Sequence, residues 1–249
     1  MGSCFSTPVP SPSASLTHLP PSQPPKETLS DLYAYWTNNT YELINNLWGR
    51  DSASSGSQCT YLTSDSPDHV AWHTTWTWTG APNNVKSFPY AARQFPRGRL
   101  ISSISSLPTT VSWNYTGTKN LRANVAFDLF TSADKDHPNH GGDFELMIWL
   151  ARYGGVCPIG QCVGQVDVAG RRWEIWDGYN GAMRVWSFVP PGGGEIKEFG
   201  ADVREFFGVL EERGFPAGEQ NLIVFQIGTE CFTGGPATFS CTQFSADVI

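Results

Sequence analysis

Three carboxylates stand in strand-like runs of this 249-residue chain, where a charge is expensive to place. Side chains of an extended strand alternate, so in Phe144-Glu145-Leu146-Met147-Ile148-Trp149-Leu150 the residues Glu145, Met147 and Trp149 share one face. Phe144, Leu146, Ile148 and Leu150 share the other, which is wholly apolar and reads as core. A charge in so hydrophobic a strand costs free energy unless it is partnered or used. Asn124-Val125-Ala126-Phe127-Asp128-Leu129-Phe130 has the same design, with Val125, Phe127 and Leu129 to the core and Asn124 and Asp128 on the polar side. Val224 to Phe232 carries a third acid, Glu230, at the same parity as Gln226 and Phe232. If these strands are neighbours in one sheet, the three acids converge.

Breaking a glycosidic bond needs two carboxyl groups in different protonation states, one ionised to attack or to activate water and one protonated to release the leaving sugar oxygen. A third acid splits those states, because like charges raise each other's pKa and a hydrogen bond to a carboxylate lowers it. Asp128 is the candidate for that tuning role. The competing reading of Glu145 is a structural acid with a buried partner. For the whole chain it is a non-catalytic carbohydrate-binding module, since exposed Trp on a sheet serves that purpose too.

The elements that must position these groups are short alternating strands separated by turn residues, the pattern of an all-β antiparallel sandwich or barrel. Strands are predicted at Ala71–Thr79, Arg122–Phe130, Phe144–Leu150, Arg172–Trp176, Ala182–Val189 and Leu222–Ile227. One helix is predicted over Ala201–Glu212, where Val203, Phe206, Phe207 and Leu210 follow helical spacing and Gly214 supplies a stop. It reads as an amphipathic helix packed on a sheet, with Glu205, Glu211 and Glu212 in water. Residues 1–28, dense in Ser, Thr and Pro, bury too little apolar surface to fold and are expected to form a disordered tail. Residues 29–249 then form one catalytic domain, a size suited to a single β core.

Composition narrows the partners. Charged residues make up 16% of the chain and the net charge is −7, with no basic cluster of the kind that releases counterions from nucleic acid. The 10 Trp suit stacking on flat neutral rings such as sugars. No apolar run reaches the roughly 18 residues of a membrane span. Neither the six Cys nor the five His fall at zinc-ligand spacing, so no metal is expected. The N-terminus lacks the apolar stretch of a secretory signal. Gly2 and Cys4 match an acylation pattern, which short N-termini also do by chance. Asn38-Asn39-Thr40 and Asn114-Tyr115-Thr116 are glycosylation sequons.

Several ordered segments together resemble glycoside hydrolase family 12. They are Asn45-Asn46-Leu47-Trp48-Gly49, Trp72 to Trp78, Asn84-Val85-Lys86-Ser87, Ile104 to Thr110, Glu145 to Leu150, Gly154-Gly155, Pro158-Ile159-Gly160, Tyr179 to Met183 and Gly228-Thr229-Glu230 with Phe232-Thr233-Gly234. The likeness runs from about Asp31 to the C-terminus. It implies a β-jelly-roll sandwich of two antiparallel sheets, an open cleft on the concave sheet, and endo-acting, retaining hydrolysis of a β-1,4-glucan such as cellulose or xyloglucan. By the same resemblance Glu145 is the nucleophile, Glu230 the acid/base and Asp128 the acid beside the nucleophile, and no metal or organic cofactor is required. Sugar contacts are implied at Asn46, Trp48, Trp76, Lys86, Asn124, Met147, Trp149, Pro158, Asn180 and Phe232. A monomer acting outside the cell is expected on the same basis. Where relatives bridge the position of Cys59 to an N-terminal Cys, this chain has Ser30. Cys162 with Cys231 is one pairing open to the others; Cys157 with Cys241, or two local loops, are equally allowed.

Overall fold

The computed structural model describes residues 24–249. The acylation pattern at Gly2 and Cys4, and most of the expected tail, lie outside the described residues. Strand β1 (Glu27–Leu29) pairs antiparallel with Thr60, Tyr61 and Leu62. Leu29 is buried there and Lys26 Nζ meets Asp65 Oδ1 at 2.6 Å, which draws the last residues of the Pro-rich stretch onto the sheet.

Along the chain follow β2 (Tyr35–Thr37), β3 (Tyr41–Ile44), β4 (Ser55–Asp65), β5 (Val70–Thr79), β6 (Tyr90–Arg93), β7 (Pro108–Thr116), β8 (Arg122–Ser132) and β9 (Phe144–Tyr153). Then come β10 (Gln161–Val168), β11 (Arg171–Asn180), β12 (Met183–Val189), β13 (Glu198–Asp202), α1 (Arg204–Glu211), β14 (Asn221–Leu222), β15 (Gln226–Gly228) and β16 (Cys231–Ala246). An outer sheet runs β1-β4-β5-β16-β7-β13, and a cleft-bearing sheet runs β2-β3-β6-β15-β8-β9-β12-β11-β10 with β14 against the end of β8. The long β16 belongs to both: Cys231 and Thr233 pair with β8, and the remainder lies between β5 and β7. This is the expected β-jelly-roll sandwich. One pairing departs from the antiparallel rule, since β12 runs parallel to β9. The β10–β11 hairpin takes the outer edge, so the chain re-enters beside β9 in the same direction.

The alternation read from the sequence decides which faces meet. Leu146, Ile148 and Leu150 of β9 and Val125, Phe127 and Leu129 of β8 enter the core between the sheets. Each such side chain contributes about 1.5 to 3 kcal/mol by leaving water. Helix α1 closes one end of this core through Phe206, Phe207 and Leu210. It begins three residues later than predicted because Ala201 and Asp202 pair with Thr109 and Pro108, and Asp202 Oδ1 accepts the backbone N–H of Arg204 at 2.9 Å. Glu205, Glu211 and Glu212 face solvent as expected.

The single strand predicted over Leu222–Ile227 is two. Leu222 lies opposite Thr131, yet Gln226 lies opposite Asp128, so the register slips by one residue within 223–225. A bulge of this kind re-aims the side chains beyond it. None of the suggested disulfides forms among the described cysteines: Cys59, Cys157, Cys162, Cys231 and Cys241 are all free. Cys231 and Cys241 point into the core between the sheets, whereas Cys162 is exposed on edge strand β10.

Candidate active site

The face of β8 and β9 opposite the core forms the floor of an open cavity of about 770 Å³. Asp128, Glu145 and Glu230 all line it, together with Tyr33, Ile44, Asn46, Trp48, Phe88, Tyr90, Phe130, Asn139, His140, Met147, Asn180, Met183 and Gln226. Asp128 sits opposite Met147 in the β8–β9 ladder, and Glu145 opposite Phe130, one alternation along the same face. The bulge before β15 sets Gln226 opposite Asp128, and its Nε2 donates to Asp128 Oδ2 at 2.9 Å.

Glu230 follows β15, and Asn124 clamps it. The side-chain Oδ1 of Asn124 accepts the Glu230 backbone N–H at 2.9 Å, while its Nδ2 donates to Glu230 Oε2. The backbone N–H of Asn124 donates to Glu230 O at 3.2 Å. Burial raises all three acids. Glu145 is pushed well above the ordinary range, first by burial and then by the charges of Asp128 and Glu230. Burial carries Asp128 to about 7 against the lowering hydrogen bonds from Gln226 and Glu145. Burial, reinforced by the charge of Asp128, carries Glu230 to about 7 against the Asn124 bond. Asp128 Oδ1 has no partner with a fixed proton. Its contact with Glu145 becomes a hydrogen bond only when one of the two is protonated, so the pair holds one proton between two carboxyl groups.

The glycosyl hydrolase family 12 model matches residues 39–249. The chain belongs to glycosyl hydrolase family 12. Endoglucanase A of Aspergillus kawachii is 43% identical over 227 residues, covering 89% of this chain and 93% of that protein. The xyloglucan-specific endo-beta-1,4-glucanase A of Emericella nidulans is 42% identical, covering 88% and 91%. Among solved structures, the catalytic domain of Humicola grisea Cel12A in complex with a soaked thio cellotetraose aligns with a TM-score of 0.87 and 58% identity, covering 90% of this chain and 99% of that one.

The positions implied by the family 12 resemblance fall into three groups. Asn46, Trp48, Met147 and Asn180 line the cleft with the three acids. Asn46 adopts a left-handed φ of 45° and its Nδ2 donates to Phe88 O at 3.0 Å, a turn that buries Leu47 and leaves Trp48 55% exposed as a platform. Asn180 precedes the two-residue Gly181-Ala182 turn, where Gly181 supplies a φ of 63°. Asn124, Trp149, Pro158 and Phe232 are buried and absent from the cleft lining. Trp149 donates from Nε1 to Met147 Sδ at 3.4 Å and packs with Phe232, so it supports a lining residue.

Trp76 and Lys86 are placed away from the cleft. Trp76 shares the inward parity of β5 with Trp72 and Trp78 and is part of the core between the sheets, its Nε1 donating to Tyr115 Oη at 2.7 Å. Lys86 is fully buried, with Nζ donating to Ala81 O and Asn84 O at 2.7 and 2.6 Å, and so pins the 81–86 loop. The sequence reading missed Tyr33, Ile44, Phe88 and Tyr90, which come from short edge strands and loops with no clear period. It also missed Asn139 and His140, which come from the loop between β8 and β9. Phe130 and Met183 carried a signal, since Phe130 has the parity of Asp128.

Proposed function

We propose that this chain hydrolyses internal linkages of β-1,4-glucan chains by double displacement, with Glu145 as nucleophile and Glu230 as acid/base. The supporting observation is the convergence of three raised carboxyl groups on one open, aromatic-lined cleft. Attack requires the pair's shared proton to pass from Glu145, the more strongly raised of the two, to Asp128, leaving Glu145 ionised to attack the anomeric carbon. Glu230, protonated below about pH 7, delivers its proton to the leaving oxygen. It then removes a proton from the water that releases the sugar. A carbohydrate-binding module has no need of this arrangement, because buried acids held near neutrality weaken the fold without improving a grip on sugar hydroxyls.

The open cleft suits a long polymer, and we place its action outside the cell, where such polymers lie. Among the described residues, no helix is long and apolar enough to cross a membrane. The names of the relatives point to both unbranched glucan and xyloglucan. Proton NMR of early products from barley β-glucan or tamarind xyloglucan tests the reaction. The β-anomer should be released first; first release of the α-anomer, or binding without reducing-sugar release, would overturn the proposal.

A further inference from the structure

Trp76 belongs to a chain of hydrogen bonds that crosses the core and ends at Glu230. Trp76 Nε1 donates to Tyr115 Oη at 2.7 Å. Tyr115 Oη and Thr229 Oγ1 lie 3.2 Å apart, and Thr229 Oγ1 donates to the backbone carbonyl of Asn124 at 2.5 Å. A hydroxyl has one proton, and that of Thr229 is committed to the carbonyl. Tyr115 is then the donor at its other contacts, Thr229 Oγ1 and the Cys231 thiol; sulfur is the weaker acceptor, so the chain runs from indole to phenol to hydroxyl to carbonyl. Burial raises the Tyr115 pKa far above its ordinary value, so the phenol keeps its proton.

All four residues are buried: Trp76, Tyr115, Thr229 and Asn124. Around Tyr115 lie the rings of Phe239 and Tyr153, at 5.5 and 5.4 Å, and the Cys231 thiol beside the phenol oxygen. A phenylalanine would fill this space with the same shape, but it would leave the buried Nε1 of Trp76 without an acceptor, at a cost of about 1 to 3 kcal/mol in stability. What the phenol adds is fixed direction. It holds the Thr229 hydroxyl on the Asn124 carbonyl, and Asn124 in turn binds Glu230 at its backbone N–H and its carboxyl group.

We propose that Tyr115, anchored by Trp76, is a positioning residue for Glu230, acting through Thr229 and Asn124 to aim the carboxyl group at the leaving oxygen. The inference rests on the reading of Glu230 as acid/base. Leaving-group dependence tests it. A dinitrophenolate departs without protonation, so kcat/KM on dinitrophenyl cellobioside does not need a well-placed acid, whereas kcat/KM on cellotetraose does.

Tyr115→Phe is expected to lower kcat/KM on cellotetraose roughly 10- to 100-fold, the scale of a small misplacement of a catalytic group, and to change it less than about twofold on the dinitrophenyl substrate. Thr229→Val should show the same split, and Thr229→Ser, which keeps the hydroxyl, should restore the cellotetraose value. Equal losses on both substrates, or no loss on either, would overturn the proposal. If Tyr115→Phe does not fold, Trp76→Phe interrupts the chain at its outer end and carries the same expectation. Glu230→Ala serves as the control for the underlying reading. If it loses both substrates equally and azide fails to speed its turnover, the acid/base role itself falls. If it shows the split and Tyr115→Phe does not, only the positioning role falls.

Discussion

The chemistry of this site comes from what burial does to three carboxyl groups. Glu230 stands at about 7 in the fold, above its ordinary value of 4.5, so the folded state binds more protons than the unfolded state between those limits. Stability from this group is full below about pH 4 and is lost as pH rises through about 7. Glu230→Gln keeps an acceptor for Asn124 and removes the buried charge. It should reduce glucan hydrolysis by about 10²- to 10⁴-fold, as expected for loss of a general acid. By thermal unfolding it should be about 1 to 3 kcal/mol more stable than wild type near pH 8, with no gain near pH 4. A variant less stable than wild type near pH 8 would show that Glu230 is not strained in the fold. At this scale, the facing of Glu145, Asp128, Asn124 and Gln226 was legible, because a polar group inside an apolar strand has few reasons to be there. Trp76 shows the opposite lesson. Its place in Trp72-His73-Thr74-Thr75-Trp76-Thr77-Trp78 already puts it at the inward parity with Trp72 and Trp78, and family likeness alone suggested a sugar contact.

Elements place those residues through register more than through propensity. The slip between Leu222 and Gln226 brings Gln226 opposite Asp128, yet a run of Leu222-Ile223-Val224-Phe225 gives no local sign of a bulge. Whether such a run pairs continuously depends on its neighbour strand. The helix was visible because Phe206, Phe207 and Leu210 repeat at helical spacing. Its first turn was not, because pairing of Ala201 and Asp202 with β7 outweighs their helical preference. Phe206 carries the docking of α1: it is fully buried and meets Phe188 edge-on at 5.0 Å and Trp173 at 5.5 Å. Phe206→Ala should cost about 3 to 5 kcal/mol in urea unfolding. Because α1 packs on the core away from the cleft, kcat/KM at 25 °C should stay within about twofold. A large loss of activity in the folded variant would tie the helix to the site.

At the scale of the whole molecule, two sheets share β16, so the strand that carries Cys231 beside Glu230 continues into the outer layer. That continuity couples the acid to the core, and it keeps Cys231 and Cys241 away from the exposed Cys157 and Cys162. The sandwich was legible from alternation and turn spacing, whereas the parallel β9–β12 pair and the seating of β1 were not, since both depend on contacts distant in sequence. The cleft, its three acids and its aromatic wall lie within one chain. The central claim is that Glu145 forms a covalent bond to the sugar. A cellobioside with a dinitrophenol leaving group and fluorine in place of the hydroxyl beside the anomeric carbon slows both steps and lets the intermediate accumulate. Peptide mass spectrometry of the inactivated protein should find the fluorocellobiosyl group on Glu145, and the same group on Asp128 or Glu230 would contradict the account.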